Sequence, residues 1–185
     1  MRRIAFIGTR DLCAVPAPLV DLFVDAATWA ARAGAVLVTG AAAGADQEAA
    51  AAALAAGGRV ELVLPWRTYE ETWLDTIRAA HRKRITTLVY TPTRHKAWSA
   101  SVLRHHPVGQ RLAQGAFCLM ARNYGIVNGA DLVVALPLWP VRGGTAYGIR
   151  IARVLGIQTV VLWDDTDRVW LREQITAAPQ APVAR

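Results

Sequence analysis

The feature that most constrains this chain is a repeated alternation. Short apolar runs, each cut off by glycine, proline or a polar residue, are separated by longer stretches of helical character. The runs fall at 4–7, 35–39, 59–64, 131–136 and 158–163, with a further candidate at 85–90. Runs this short and this continuously apolar suit strands buried on both faces better than buried helices. Between them, Pro16 and Pro18 open a helix to about residue 33 that places Leu19, Phe23, Ala26 and Ala30 on one face. Residues 45–56 are nearly all alanine and end at Gly57-Gly58. Thr68 and Glu71 have capping-box spacing, and Tyr69, Trp73, Ile77 and Ala80 line the inner face of the helix they would open. Residues 91–106 are polar, basic and without clear period, which reads as a long loop. A helical pattern interrupted by Gly115 and Gly125 covers 107–128, and two more helices are expected at 144–155 and 167–176. Strand alternating with helix predicts an α/β fold with a mainly parallel sheet of at least five strands and helices on both faces.

The length, 185 residues with 54% hydrophobic, suits one domain over 1–176 with a core that needs no disulfides. Residues 177–185 are rich in alanine and proline and read as a loose tail. Cys13 and Cys118 are far apart, which suits a reducing, cytoplasmic compartment. No spacing suggests a metal site, and no apolar stretch is long enough to span a bilayer, so no membrane partner is expected. The net charge of +7 is unevenly placed. Between Trp66 and Arg122 there are ten Arg/Lys and three acids, while the rest of the chain has eleven of each. A polyanionic ligand over this variable basic region, 67–120, is one explanation, and a solvated surface is the other.

In doubly wound sheets ligands collect at the carboxyl ends of strands, and four segments there have suitable chemistry. Gly8-Thr9-Arg10 offers close backbone approach, a hydroxyl and a guanidinium that can fork onto phosphate. Thr39 to Asp46, with Gly40 and Gly44, puts small residues at a helix N-terminus, where free N–H groups suit an anion. Asp46 has two readings, as a helix cap or as an acceptor for ribose hydroxyls. Arg122-Asn123 precedes the fourth of the strands that flank these segments, and Gly143-Gly144-Thr145 opens the helix after it. Trp66, just past the third strand, and Trp98, in the expected loop, are candidates for stacking on a base; a core-capping role for Trp66 stands beside that reading.

In this order the segments resemble the SLOG superfamily of Rossmann-like proteins, and within it the DprA/Smf DNA-processing and YspA-like branches. The matching pieces are GTR at 8–10, TGAAAGAD at 39–46, LPW at 64–66, ARN at 121–123 and GGT at 143–145. The resemblance implies a Rossmann-like three-layer sandwich that binds nucleotides or nucleotide-derived signals, with single-stranded DNA the ligand of the DprA branch. The base-releasing LOG branch carries a glutamate where this chain has Gly148, which argues against nucleotide N-glycosidic hydrolysis. Tyr124 stands where the DprA branch has a second arginine.

Four functions are carried forward. The leading one is a sensor or processing factor that binds a nucleotide-derived small molecule without catalysis, through Gly8, Thr9, Arg10, Gly40, Gly44, Asp46, Arg122, Asn123, Gly143, Gly144 and Thr145. Behind it stand a DprA-like single-stranded DNA binder, a hydrolase with Asp46 as its one available carboxylate, and a scaffold with a decayed pocket. Pairing into a homo-oligomer is open to a fold of this kind.

Overall fold

The computed structural model describes residues 1–177; the tail expected at 177–185 lies, from 178 onward, outside the described residues. The elements run β1 (Arg3–Gly8), α1 (Ala17–Arg32), β2 (Val36–Thr39), α2 (Ala45–Ala55), β3 (Arg59–Leu64), α3 (Glu71–His81), β4 (Ile85–Val89), α4 (Lys96–His105), α5 (Gln114–Val127), β5 (Leu132–Leu136), α6 (Gly143–Val154), β6 (Thr159–Val161) and α7 (Asp165–Ala177). The strands form one sheet in the order β4-β3-β2-β1-β5-β6, every neighbouring pair parallel. The architecture is a Rossmann-like three-layer α/β sandwich.

Period-two alternation sorts the strand residues between two cores. Ile4 and Phe6 of β1, Leu37 of β2 and Leu62 of β3 join the side chains of α1, α2, α3 and α7 on one face of the sheet. Ala5, Ile7, Val38 and Val63 join α4, α5 and α6 on the other. Both faces are covered, which is why the runs are continuously apolar. On the first face α1 and α2 touch through small side chains. Ala26, Ala27 and Ala30 meet Ala49, Ala50 and Ala53, all fully buried. The alanine run of α2 is therefore a packing surface as well as a strong helix former.

Three local expectations are corrected. The stretch 91–106 is not a loop throughout, because α4 occupies Lys96–His105. Its buried apolar signal is a single pair, Trp98 and Val102, one helical turn apart on a short helix whose Leu103 is exposed, too little to show a period. The helical pattern at 107–128 resolves into a 3₁₀ turn at Gly109–Arg111 and an α5 that runs through both glycines without a break. Gly125 is there because the indole of Trp98 lies where a Cβ would be. Thr68 and Glu71 form no capping box: α3 starts at Glu71 behind a left-handed Glu70 (φ 52°), and no side chain caps it.

Candidate phosphate-binding cavity

The sheet order reverses at β1, which has β2 on one side and β5 on the other. Connections leaving the carboxyl ends of β1 and β5 pass to opposite faces there and leave a crevice. The crevice is a cavity of about 350 Å³. Its floor is the end of β1, where the Thr9 N–H donates to the Leu136 carbonyl (2.9 Å). Ile7, Gly8, Thr9 and Arg10 line it from the β1 end, Ala42 and Asp46 from α2 and the turn before it, Leu119, Met120, Arg122 and Asn123 from α5, and Arg142, Gly144 and Thr145 from the start of α6.

Two side-chain bonds tie these elements together. Thr145 Oγ1 donates to the Gly8 carbonyl (2.9 Å), and Asn123 Nδ2 donates to the Gly144 carbonyl (3.1 Å). They hold the N-terminus of α6 against β1 and α5. No side chain caps that N-terminus, so the first-turn N–H groups of a twelve-residue helix remain available beside the cavity.

The electrostatic centre is Arg122, only 5% exposed on the buried side of α5. Nη1 donates to Asp46 Oδ2 (3.3 Å), and the guanidinium lies 5.8 Å from the ring centroid of Tyr69. Nε has no hydrogen-bond partner. Gly40 provides the seat, since a Cβ there would overlap the guanidinium. Asp46 is equally buried and also accepts the Ala42 N–H (3.2 Å). The turn reaches this geometry through Ala41 and Gly44, both with positive φ (63° and 86°). Burial pushes the Asp46 carboxyl above its ordinary range, and the Arg122 charge and the Ala42 N–H pull it part of the way back. Three arginines and one carboxylate line the cavity, so it is electropositive even with Asp46 ionised. Of the three, Arg10 donates to the Tyr69 hydroxyl (2.7 Å), which steadies its exposed head at the rim.

The structure brings together Gly8, Thr9, Arg10, Asp46, Arg122, Asn123, Gly144 and Thr145. Gly40, Gly44 and Gly143 lie outside the lining. Gly40 makes room for Arg122, and Gly44 passes over the carbonyls of Thr9 and Arg10. Asp46 is not the helix cap, a position held by Gly44; its carboxylate turns back to Ala42 and across to Arg122.

The two tryptophans depart from the stacking expectation in different ways. Trp98 is buried (8% exposed) within the second core, its ring 4.2 Å centroid to centroid from His95 and stacked on Tyr90, so it is not open to a base. Burying it is how the short α4 attaches to the sheet. Trp66 is exposed but lines a different cleft, beside β4. Sequence reasoning passed over Arg142, although it directly precedes Gly143-Gly144-Thr145. It also missed Met120 and Leu119, which α5 brings in one turn before Asn123, and Tyr69, whose pattern matched an ordinary core aromatic.

Fold and cavity together define an α/β protein with an electropositive crevice at the switch point of a parallel sheet. No family model matches the chain, and no curated protein matches it in sequence. Solved structures do match. One is DNA processing protein A from Helicobacter pylori, described by its single-stranded DNA binding mode: TM-score 0.59, 19% identity, 94% of this chain and 73% of that one covered. DprA from Streptococcus pneumoniae gives a TM-score of 0.58 at 19% identity, covering 94% of this chain and 56% of that one, so this chain spans little more than half of it. The molybdenum cofactor binding protein of the phototrophic bacterium Rippkaea orientalis gives 0.56 at 17% identity, with 95% and 84% covered. At these identities the likeness shows the fold. No helix among the described residues is long and apolar enough to cross a membrane.

Proposed function

We propose that this protein binds a nucleotide or nucleotide-derived small molecule in the crevice between β1 and β5, with a phosphate at the N-terminus of α6. The observation that carries this reading is Arg122, a guanidinium buried beside the cavity with one nitrogen unpartnered, in a lining of three arginines and one carboxylate. A cationic group kept out of water is stable only where charge and hydrogen bonds compensate it, and Asp46 supplies part of that compensation. An anion supplies the rest. The first-turn N–H groups of α6, Arg142 and Arg10 take the phosphate; Ile7, Leu119 and Met120 give apolar surface for the base. Asp46 acts by holding Arg122 in place. The volume lies in the range of small-molecule sites. The order of the Gly8, Gly40, Arg122 and Gly143 segments, set on this fold, supports a place in the SLOG superfamily, as one domain over 1–176.

Binding without turnover is favoured. Gly148, at the position where a catalytic glutamate would stand, faces β1, where a Cβ would come 2.8 Å from Ile7 Cδ1. That position serves helix–sheet packing and lies outside the cavity lining. The test is native mass spectrometry of the purified protein, followed by thermal melts against mononucleotides, dinucleotides, cyclic nucleotides and molybdopterin-type ligands. A retained ligand, or a melt shift reduced by Arg142→Ala, supports the reading; no retained ligand and no shift across the panel overturns it.

A second reading, single-stranded DNA, is favoured by one observation: Trp66 is 38% exposed on the same carboxyl rim as Arg67 and Arg94. Oligonucleotide affinity that falls with salt at a log–log slope of about −2 or steeper, the value for three phosphates, would support it.

A further inference from the structure

β4 ends the sheet, so one of its edges has no partner strand. The Tyr90 N–H donates to the Leu64 carbonyl, which fixes the alternation: Thr86, Leu88 and Tyr90 turn their main-chain groups toward β3, and Thr87 and Val89 turn theirs outward. No backbone or side-chain hydrogen bond reaches those outward groups among the described residues. A cleft of about 680 Å³ opens beside the carboxyl half of β4, lined by Thr87 to Thr91, Trp66, Arg67, Arg94 and His95.

Exposed edges are usually blunted by a charge, a proline or a bulge within the strand, because they template pairing with other chains. β4, with the sequence ITTLV, has none of these. The charge sits at its two ends instead. Arg82, Lys83 and Arg84 precede it, Arg94 and Lys96 follow it, and all five are exposed. The lining of the cleft includes no acidic residue.

We infer that this edge is a docking site for an extended acidic segment of a partner protein, which adds a seventh strand to the sheet. The outward groups of Thr87 and Val89 supply the main-chain bonds, as in other cases of strand addition. Acids at both ends of the incoming segment meet the two basic clusters, which flank a strand of five residues, about 16 Å of strand rise. Charge selects this occupant over a second copy of the chain. Antiparallel β4–β4 pairing would set Arg82 to Arg84 of one copy beside Arg94 and Lys96 of the other, and like charges opposed across strands repel. The inference is independent of the crevice between β1 and β5.

The experiment uses a fluorescein-labelled nonapeptide, DEVTVTVDE, whose acids bracket five strand-forming residues, and two N-methylated versions, one at the valines and one at the threonines. Methylation leaves the charge intact and blocks one edge of the peptide. The expected result in fluorescence anisotropy is saturable binding in which one methylated version is weakened about tenfold or more and the other is not. Thr87→Pro removes the outward N–H together with the hydroxyl that accepts from Arg78, and should abolish binding, whereas Thr87→Val removes the hydroxyl alone and should keep it; Arg84→Glu with Arg94→Glu should abolish it without touching the strand edge. Equal binding by all three peptides would show adhesion by charge alone and overturn the inference. So would tighter binding of an oligothymidylate of matched charge at the same edge, or dimerisation through β4 seen by sedimentation. If Thr87→Pro does not fold, the methylated peptides decide.

Discussion

The crevice between β1 and β5 and the cleft beside β4 are both basic, and they are built by opposite means. In the crevice, Arg122 is buried, paired with Asp46, laid over Tyr69 and seated on Gly40, so its charge is fixed in place. In the cleft, Arg67 and Arg94 are exposed and have no carboxylate partner among the described residues. Arg122, Arg67 and Arg94 all come from the segment that holds the whole charge excess. Charge density along the sequence therefore does not locate a preorganised site. A fixed charge in a low-dielectric setting can discriminate one anion geometry, whereas exposed charges are screened by salt and give attraction with little selectivity.

The sharpest way to break this comparison is Arg122→Ala. It leaves Asp46 buried without its counter-charge, and breaking a buried pair from one side costs about 3–5 kcal/mol. Urea denaturation measures the loss, and the change should also erase any ligand-induced shift. Arg94→Ala in the cleft should fall within about 0.5 kcal/mol of the parent, as exposed substitutions do. Equal effects at the two positions would remove the distinction.

Next in size is ligand stabilisation. A ligand at a hundred times its dissociation constant adds about 2.7 kcal/mol, a melting shift of roughly 5–10 °C for a chain of this size. Arg10→Ala and Arg142→Ala should reduce that shift, and Arg94→Ala with Lys96→Ala should leave it unchanged.

Packing changes come third. Gly40→Ala and Gly125→Ala each place a methyl where Arg122 or Trp98 already sits, for about 1–3 kcal/mol by overpacking. The two should cost similar stability, but only Gly40→Ala should also remove the ligand shift. Measuring melts with and without ligand separates them.

The smallest effect is a pH dependence. Because burial raises the Asp46 carboxyl above its ordinary 3.8, the folded chain keeps a proton that the unfolded chain releases. This group's contribution to stability is thus complete below 3.8 and is lost as pH rises through the raised folded value. Asp46→Asn cannot titrate, so between 3.8 and the raised folded value its melting temperature should fall less steeply with pH than the parent's. A parallel pair of curves would show that Asp46 carries no such shift.

The sequence by itself determined the architecture. Six short apolar runs spaced by helical stretches allow little other than a parallel sheet with both faces covered, because neither kind of segment can bury its apolar surface alone. It also marked the strand-end segments, since glycines and hydroxyls directly after a buried strand are costly unless the backbone must turn or approach something closely there. What it could not show was which of these residues face the same space. Gly40 reads as a ligand-facing glycine until Arg122, far away in sequence, is seen to occupy its place. Trp98 among Arg94, His95 and Lys96 reads as an exposed platform until α4 turns it inward against Gly125 and Tyr90. Arg142 and Tyr69 gain their meaning only from what α5 and β1 bring beside them. Local pattern records what each residue needs from its own turn or strand, whereas long-range packing decides which needs are met by the protein itself and which are left for a ligand.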